Sequence, residues 1–371
     1  MNLPLVDLSF QTDAIAAEVR EGLDRLIEKG DFILGRAVSE FELAYADFCQ
    51  VDHCVGVGNG TDALELSLRA LDIGVGDEVI LPANTFIASA LAVMRAGARP
   101  VLVDADEEHH LIDVGAVQER ISARTKAILA VDLFGQMADW EALERVAQGA
   151  GLALVEDAAQ AQGATRNDSR AGSLGDVSGT SFYPAKNLGA WGDGGAVTTR
   201  SPEIAERLRS LRNYGSEIKY EHPEVGFNSR LDSLQALVLQ AKLKRLEAWN
   251  DLRREAAARY DALLARMPGL RPPHVLPGNE PVWHIYAIAV SSRDAVLDRL
   301  RASGIGAMVH YPKPIHLQGA FRDLGHSLGD FPNTERAAEE MISLPLFPGI
   351  TEAQQEFVAA RLKEALDSIG G

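Results

Sequence analysis

The stretch Ser181-Phe182-Tyr183-Pro184-Ala185-Lys186-Asn187-Leu188-Gly189-Ala190-Trp191-Gly192-Asp193-Gly194-Gly195 places a lysine, Lys186, in a glycine-rich loop after a predicted strand at residues 177–182. A single lysine in such a loop is typical of a solvated surface position, because lysine is rarely buried without a partner. Two further features favour a chemical role for this lysine. An apolar run ends in an aspartate, Asp157, and a Gly-Asn-Gly-Thr-Asp turn at residues 58–62 separates another apolar run from a helical pattern.

Together, the lysine, the aspartate and the turn predict a site for pyridoxal 5'-phosphate (PLP). This cofactor needs an amine for its aldehyde, a carboxylate for its protonated ring nitrogen and anion-binding amides for its phosphate. A carboxylate about 4 Å from a cationic nitrogen attracts it by on the order of 4 kcal/mol near a protein surface, before desolvation. Taken singly, the aspartate is as well explained by a capped strand end, and the turn by an ordinary strand–helix connection.

The composition indicates a globular protein that does not bind polyanions. Hydrophobic residues make up 46% and charged residues 24% of the 371 residues, which is typical of two or three domains with a large core. The 53 acidic side chains outnumber the 36 basic ones, for a formal net charge of −17. This excess disfavours binding to nucleic acid or to an anionic membrane, since both need a basic surface.

Metal, disulfide and export patterns are missing from the sequence. The two cysteines, Cys49 and Cys54, are expected to be buried thiols, and His109 and His110 are expected at the surface rather than on a metal. The first residues lack the basic and long apolar segments of a signal peptide, and no apolar stretch has transmembrane length. We expect a cytoplasmic enzyme without a metal site.

Apolar runs alternate with helical patterns, which predicts an α/β fold with a mostly parallel sheet covered by helices on both faces. A helix is also predicted at residues 40–48, with Ser39 before it. The apolar runs lie at 78–81, 100–103, 126–131, 152–156 and 177–182, and the intervening helices at 86–96, 113–121 and 137–150.

The longest helical pattern, residues 231–264, is predicted to contain a break near Asn250 and the boundary between two domains. We assign residues 1–245 to a large PLP-binding domain and residues 246–371 to a smaller C-terminal α+β domain. The smaller domain is predicted to contain strands at 284–290 and 305–309 and helices at 294–302, 334–341 and 352–365.

The order and wording of these motifs resemble those of the DegT/StrS-type nucleotide-sugar aminotransferases, from about residue 4 to about residue 350, and the closest match is to the 3-ketohexose branch. The resemblance implies PLP as cofactor and the type I PLP-dependent (aspartate aminotransferase) fold. It makes Lys186 and Asp157 the catalytic residues. Lys186 would attach PLP covalently and, once displaced, move the substrate proton, while Asp157 would pair with the ring nitrogen.

The resemblance also implies further contacts to the cofactor. Gly60, Thr61 and Ser181 would bind the phosphate, Phe86 would stack on the ring, and Gln160 would lie near the ring hydroxyl. From the sequence alone, Phe86 is as well explained by a place in the core.

Asn228, in Gly226-Phe227-Asn228-Ser229-Arg230-Leu231-Asp232, matches an asparagine that reaches the phosphate in the partner subunit of this family. The resemblance therefore implies a homodimer with shared active sites. A helix cap by Asn228 or Ser229 is compatible with this role.

Substrate contacts are implied in three segments. The cation of Lys219 would bind the diphosphate, and a set of ring side chains would contact the sugar or the phosphate. The segment 310–318 is also explained by a turn stiffened by proline. The implied substrate contacts are Tyr183, Lys219, Tyr220, Tyr311 and His316.

Three residues depart from the family pattern. Asp132 stands where many relatives have histidine, Ala185 replaces a common threonine, and Trp191 is bulkier than the usual residue. None of these changes removes an expected cofactor contact, and all three leave the shape of the substrate pocket open.

The sequence therefore predicts an aminotransferase that passes an amino group from glutamate, through pyridoxamine phosphate, to a nucleoside-diphosphate-linked keto sugar. The favoured substrate is a dTDP-3-keto-6-deoxyhexose on the way to an antibiotic or a polysaccharide, because segments 212–220 and 228–232 resemble the 3-amino branch. Lys186 argues against the related dehydratases, which have histidine there. A 4-keto sugar substrate and a non-catalytic PLP-binding regulatory protein remain as alternatives.

Overall fold

The computed structural model describes residues 2–216 and 218–370 of the chain. Its strands are β1 His53–Val57, β2 Glu78–Pro82, β3 Arg99–Val103, β4 Thr125–Val131, β5 Ala153–Asp157, β6 Thr165–Arg166, β7 Ser169–Arg170, β8 Val177–Ser181, β9 Gly195–Thr199, β10 Leu270–Arg271, β11 Asn279–Glu280, β12 Tyr286–Val290 and β13 Met341–Leu344. Its α-helices are α1 Ser9–Lys29, α2 Arg36–Cys49, α3 Gly60–Ala70, α4 Ala88–Ala96, α5 Val114–Arg120, α6 Trp140–Ala150, α7 Pro202–Leu211, α8 Ser233–Leu243, α9 Leu246–Leu264, α10 Arg293–Ala302, α11 Pro332–Glu340 and α12 Glu352–Gly370.

A seven-stranded sheet with the order β1-β9-β8-β5-β4-β2-β3 forms the centre of the larger part of the molecule. The neighbours from β3 through β2, β4 and β5 to β8 are parallel. Strand β9 runs antiparallel to both β8 and β1. The predicted α/β fold with a mostly parallel sheet is thereby confirmed.

Both faces of this sheet are covered, as the side chains of β2 illustrate. Val79 and Leu81 pack into a cluster that contains Leu64 of α3, whereas Ile80 packs into a cluster that contains Leu143 of α6. Successive side chains of a strand point to opposite faces. Because both faces are buried, consecutive apolar residues are favoured along the strand, which explains the apolar run at residues 79–82.

The carboxyl edge of the sheet brings distant parts of the chain together. Strand β1 leads into the turn before α3, β5 ends at Asp157, and β8 ends at Ser181 shortly before the lysine loop. Val57 and Ser181 both lie opposite Gly195 of β9 in the sheet register. The three predicted motifs therefore meet at one edge, where open α/β sheets bind their ligands.

A second core lies around the sheet β10-β12-β13 and is covered by α9, α10 and α12. Tyr260 of α9 and Leu362 of α12 are buried there. Two segments cross the predicted boundary at residue 245. Leu3 packs into this second core, and Phe321 packs into the core of the large sheet. The division into 1–245 and 246–371 remains a prediction. Leu3 and Phe321 each pack into the core of the other predicted domain.

The predicted start of the second helix and the predicted break in the long helix are both wrong. Helix α2 begins at Arg36 because the Asp31 carboxylate accepts a hydrogen bond from the Arg36 amide at 2.9 Å, so Ser39 lies inside the helix. The long pattern breaks between α8 and α9, at residues 244–245. Asn250 continues the helix because its amide side chain is buried in tertiary hydrogen bonds instead of competing with the backbone.

The predicted strand at residues 305–309 is also wrong. This segment forms only isolated bridges, from Ile305 to Leu3 and from Met308 to Ser343. Because its two ends pair with different partners, no continuous ladder forms.

Two buried carboxyl groups lie side by side at the ends of β4 and β5. The Oδ1 atom of Asp132 accepts hydrogen bonds from the Ala138 amide and from Trp140 Nε1, while its enclosed Oδ2 has no donor among the described residues. Glu156 accepts from the Gly172 amide at 2.9 Å. Burial, and then the neighbouring Glu156, raise the pKa of Asp132 well above its usual range. The proximity of the two carboxyl groups therefore favours the protonated form of Asp132.

We predict that Asp132→Asn reduces the loss of stability at rising pH. In the native chain, the unfolded state releases the Asp132 proton at a lower pH than the folded state does. The unfolding free energy therefore falls by up to about 1.4 kcal/mol per pH unit between the unfolded and folded pKa values. An amide at residue 132 keeps the acceptor for Ala138 and donates to Glu156 without titrating. Urea unfolding from pH 5 to pH 8 measures the slope, with Asp24→Asn on the exposed face of α1 as the control. Equal slopes in the native and Asp132→Asn chains would contradict the raised pKa of Asp132.

Candidate active site

Lys186 lies in a tight loop that follows β8. Its amide donates a hydrogen bond to Tyr183 O at 2.8 Å. A Cβ atom at Gly189 would lie 2.2 Å from Pro184 O, so only glycine allows the loop to close. Desolvation lowers the pKa of Lys186 to about 8, although the Asp157 carboxylate opposes the shift. The amine therefore loses its proton more readily than an ordinary lysine does.

Asp157 lies at the end of β5 with 5% of its surface exposed. Ser89 Oγ donates to its Oδ2 at 2.8 Å, and the Ala159 amide donates to its Oδ1 at 3.2 Å. Burial raises the pKa of Asp157, while these two hydrogen bonds and the charge of Lys186 lower it. Such a carboxylate is stabilised by a bound cationic group, because its desolvation is then offset by an opposite charge.

The turn at residues 58–62 forms the first turn of α3. Asn59 caps this helix by accepting a hydrogen bond from the Asp62 amide at 2.9 Å. Within residues 2–216 and 218–370, no acceptor binds the amides of Gly60 and Thr61, as expected at a helix start. A Cβ atom at Gly60 would lie 2.6 Å from the Cβ atom of Ser181, so glycine lets the turn approach this hydroxyl side chain.

Gln160, Tyr311 and Phe86 form a connected group. The Gln160 side chain accepts a hydrogen bond from the Phe134 amide at 2.7 Å and donates one to the Tyr311 hydroxyl at 3.0 Å. The rings of Tyr311 and Phe86 lie 5.6 Å apart between centroids. Phe86 is 54% exposed, so it is not a core side chain and its face is available to a ligand. The alternative that Phe86 fills the core is wrong.

The described residues fit PLP in their chemistry. A helix start with free amides next to the Ser181 hydroxyl suits a phosphate group. The buried Asp157 carboxylate suits a protonated ring nitrogen, and Lys186, with its lowered pKa, suits an aldehyde. A side chain at Gly60 would obstruct the anion-binding turn, which explains the glycine there.

The predicted substrate residues divide into two groups. Tyr183 is exposed and adjoins the lysine loop, while Tyr311 joins the group around Gln160. Lys219 and Tyr220 lie in a surface segment, with Lys219 Nζ 5.1 Å from the centre of the Tyr220 ring. No hydrogen bond connects this second group to Lys186 or Asp157 in the described part of the chain, so their role in substrate binding remains a prediction.

His316 lies apart from the other predicted substrate residues. It is 2% exposed, its Nε2 atom lies 2.9 Å from Glu335 Oε1, and its ring packs on Phe331. Burial lowers the pKa of His316, although Glu335 opposes the shift. This environment offers no exposed face to a sugar and does not support the predicted contact.

Asn228 is exposed, in contrast to the residue that follows it. The Ser229 hydroxyl donates to Asp62 Oδ2 at 2.7 Å and accepts from the Gly58 amide at 3.1 Å. Ser229 thus fixes this segment to the phosphate-binding turn of its own chain. The reach of Asn228 into a partner subunit remains a prediction.

Ser89, His284 and His310 also lie at the site, although no role was predicted for them from the sequence. Ser89 holds Asp157, and the charge of Lys186 contributes to the lowered pKa of both histidines after burial. Ser89 lies three positions after Phe86 on a predicted helix, so helical spacing was a signal for it. The two histidines come from the C-terminal part of the chain, and no local pattern connects them to Lys186.

This combination of a buried carboxylate, a lysine with a lowered pKa and a phosphate-binding helix start on a type I fold is that of a PLP-dependent aminotransferase. Residues 13–363 match the model of the DegT/DnrJ/EryC1/StrS aminotransferase family, and the chain belongs to this family. The predicted family, fold, enzyme class and cofactor are thereby confirmed.

Two relatives and one solved structure are particularly similar to the chain. The dTDP-3-amino-3,4,6-trideoxy-alpha-D-glucose transaminase of Streptomyces venezuelae is 44% identical over 98% of this chain and 96% of the relative. A protein of Geobacillus stearothermophilus named pleiotropic regulatory protein is 43% identical over 98% of both. The crystal structure of S. venezuelae DesV in complex with a ketimine intermediate is 44% identical, has a TM-score of 0.96 and covers 98% of both chains.

Across residues 2–216 and 218–370, no helix is both long and apolar enough to cross a bilayer. The same residues contain no cluster of three or more His, Cys, Asp or Glu side chains that could hold a metal ion.

We predict that Ser89→Ala lowers kcat about tenfold, because a hydrogen bond to a charged group is worth about 1.5–3 kcal/mol. Without the hydroxyl, the pKa of Asp157 rises further, so a smaller fraction of its carboxyl group is ionised to pair with a ring cation, and the side chain loses a contact that orients it. Steady-state kinetics with an amino donor measure the effect. Ser67→Ala on α3 removes a buried hydroxyl that bonds only Ala63 O, and it should leave kcat within about twofold of native; equal losses in both variants would contradict the role of Ser89.

Proposed function

We propose that the chain transfers the amino group of glutamate to the keto carbon of a dTDP-linked 3-keto-6-deoxyhexose, giving the 3-amino sugar. The observation that carries the proposal is the placement of Lys186 and Asp157 at one edge of the sheet, each altering the pKa of the other. The name of the 44% identical Streptomyces relative supports a dTDP-linked 3-amino sugar as product.

PLP supplies an electron sink that stabilises negative charge on the carbon next to the transferred nitrogen. Lys186 supplies the proton transfer. With a pKa of about 8, part of its amine is unprotonated at neutral pH and would take a proton from the donor carbon and deliver it to the cofactor carbon. Asp157 stays in place through Ser89 and the Ala159 amide, and its burial excludes water that would weaken its attraction for a cation.

Substrate binding is proposed to use the exposed residues at the rim of this site. Tyr183 and Phe86 present exposed rings beside the lysine loop and the Gln160 group. Lys219 supplies a cation for the diphosphate, which a chain of net charge −17 otherwise repels. The ring position that reacts is the one held about 3–3.5 Å from the reacting atom, so the rim residues select between positions 3 and 4.

A homodimer with shared sites is part of the proposal. Asn228 is exposed while Ser229, the next residue, is anchored to Gly58 and Asp62. The side chain of Asn228 therefore projects from a rigid segment and is free to reach a second chain.

A regulatory role without catalysis is the second candidate function. It is favoured by the name of the 43% identical Geobacillus relative. The two candidates are distinguished by adding glutamate to the protein with bound PLP. The absorbance of the cofactor changes if the protein is an aminotransferase, and it stays the same if the protein binds PLP without catalysis. The lowered pKa of Lys186 favours the aminotransferase.

We predict that borohydride reduction of the holoenzyme labels Lys186, and that peptide mapping finds the pyridoxyl group there. Lys242 of α8 is the matched internal control, because it is also buried and burial also lowers its pKa to about 8. It differs from Lys186 in having no Asp157 beside it. A label on Lys242, or an unchanged label in Lys186→Ala, would exclude the assignment.

We predict that Lys186→Ala and Asn228→Asp chains each lose activity, the former by on the order of 1000-fold or more, and that mixed dimers recover it. A heterodimer has one site in which the lysine and the asparagine are both native. Activity of differently tagged, purified heterodimers measures the recovery. Heterodimers as inactive as their parents would argue against shared sites.

We predict amination at position 3 of the sugar. The enzyme is given dTDP-linked 3-keto and 4-keto 6-deoxyhexoses separately, with glutamate, and NMR locates the new amine. We expect turnover of the 3-keto sugar to exceed that of the 4-keto sugar by at least about 100-fold, or about 2.7 kcal/mol in transition-state free energy. Amination only at position 4 would overturn the choice of substrate and leave the aminotransferase assignment intact.

A further inference from the structure

A chain of buried amide side chains connects the lysine loop to the smaller part of the molecule. Asn187, which follows Lys186, is 1% exposed. Its Nδ2 atom donates to Asn250 Oδ1 and to Val282 O, each at 3.0 Å. Asn250 in turn donates to Gln162 O at 2.9 Å. Backbone carbonyls only accept hydrogen bonds, so Val282 O and Gln162 O determine the orientation of both amide groups.

The orientation of Asn187 determines the tautomer of His284. Since Nδ2 of Asn187 faces the Val282 carbonyl, its Oδ1 atom faces His284 Nδ1, at 3.1 Å. An amide oxygen accepts, so Nδ1 of the imidazole carries the proton. In the neutral ring, Nε2 is then a hydrogen-bond acceptor.

The Nε2 atom of His284 is available to a group in the active site. It has no hydrogen-bond partner in the described ranges, and it is not enclosed, unlike the Nδ1 atoms of His110 and His316. A Cβ atom at Gly135 would lie 2.8 Å from the His284 amide and 3.2 Å from Gln160 O. His284 therefore lies between the lysine loop and the turn that holds Gln160.

We propose that His284 is a positioning residue whose unprotonated Nε2 accepts a hydrogen bond from the Lys186 amine once bound substrate has displaced that amine. Among the described residues Lys186 Nζ makes no hydrogen bond to His284, so the bond requires a rotation of the lysine side chain. The bond would hold the amine in place for proton transfer. The residues of the network are suited to this role because Asn187, next to the lysine in sequence, sets which nitrogen of His284 is the acceptor. The inference rests on the role of Lys186 in the proposed function.

The charges around His284 keep its ring neutral. Burial lowers the pKa of His284 well below its usual range, followed by the positive charges of Lys186 and Arg253 and by the interaction with His310. Burial also lowers the pKa of His310 to about 4. Both rings are therefore neutral at physiological pH, so that His284 accepts from the lysine instead of repelling it.

The tautomer is tested by ¹⁵N NMR of the histidines in the holoenzyme between about pH 5 and pH 8, a range that spans the ordinary histidine pKa. We expect a single neutral tautomer of His284 with the proton on Nδ1 throughout. This measurement does not depend on turnover or on the sugar substrate. A proton on Nε2, or titration in this range, would overturn the proposal even if the enzyme is fully active.

The contact with Lys186 is tested by two variants that retain different nitrogens. His284→Gln places an amide near Nε2, and His284→Asn places one near Nδ1, where it can still donate to Asn187. We expect His284→Asn to lose kcat by about tenfold or more relative to His284→Gln, a difference of about 1.4 kcal/mol. The ¹⁵N pKa of the Lys186 amine in the pyridoxamine phosphate form should be lower in His284→Asn, because its ammonium has lost an acceptor.

A purely structural role predicts the opposite order, since His284→Asn preserves the bond to Asn187. Near-native kcat and Lys186 pKa in His284→Asn, with loss of both in His284→Gln, would overturn the proposal. His109→Asn is the control, because His109 is half-buried and bonds Asp106 away from the lysine. Circular dichroism and thermal unfolding confirm that both His284 variants are folded, and an intact fold with unchanged kcat in both would also exclude the role.

Discussion

The interaction between Lys186 and Asp157 is the constraint on which the rest of the structure depends. Each side chain is desolvated, and each alters the pKa of the other in the direction of charge. Desolvating a carboxylate and an ammonium costs several kcal/mol per ion, which the fold must offset. The hydroxyl of Ser89 and the amide of Ala159 provide part of this compensation for Asp157, and a cationic group of the cofactor would add to it. The buried carboxylate of Asp157 therefore favours the binding of a cationic group beside it.

The parallel sheet makes this placement possible. Strand ends that are far apart in sequence meet at the carboxyl edge, and glycines permit the close contacts between them. A Cβ atom at Gly195 would lie 2.5 Å from Asn59 C, just as one at Gly60 would collide with Ser181. These glycines are needed because the phosphate-binding turn, β8 and β9 share one small region of the sheet edge. The backbones approach so closely here that residues 60 and 195 have no room for a side chain.

The smaller part of the chain also contributes to the site. Tyr311 bonds Gln160, and His284 bonds Asn187 beside Lys186. The two parts also exchange segments, since Leu3 packs in one core and Phe321 in the other. The lysine loop is therefore held both by the large sheet, whose strand β8 precedes it, and by the C-terminal part of the chain, whose Val282 and His284 bond Asn187. The proposed substrate contacts Tyr183 and Lys219 are exposed by comparison.

The sequence by itself determined the α/β class, the parallel sheet and the positions of Lys186, Asp157 and the phosphate turn. These follow from apolar runs, strand ends and glycines, which are local patterns. It did not determine the start of α2 at Arg36, where the carboxylate of Asp31 five residues earlier, and not Ser39, accepts a hydrogen bond from the first amide. Nor did it determine the uninterrupted course of α9 through Asn250 or the burial of His316, because each depends on a contact with another part of the chain. The same holds for Ser89 and His284. A hydrogen bond between residues 68 or 97 positions apart leaves no periodic trace in the sequence, and only the packed structure brings its partners together.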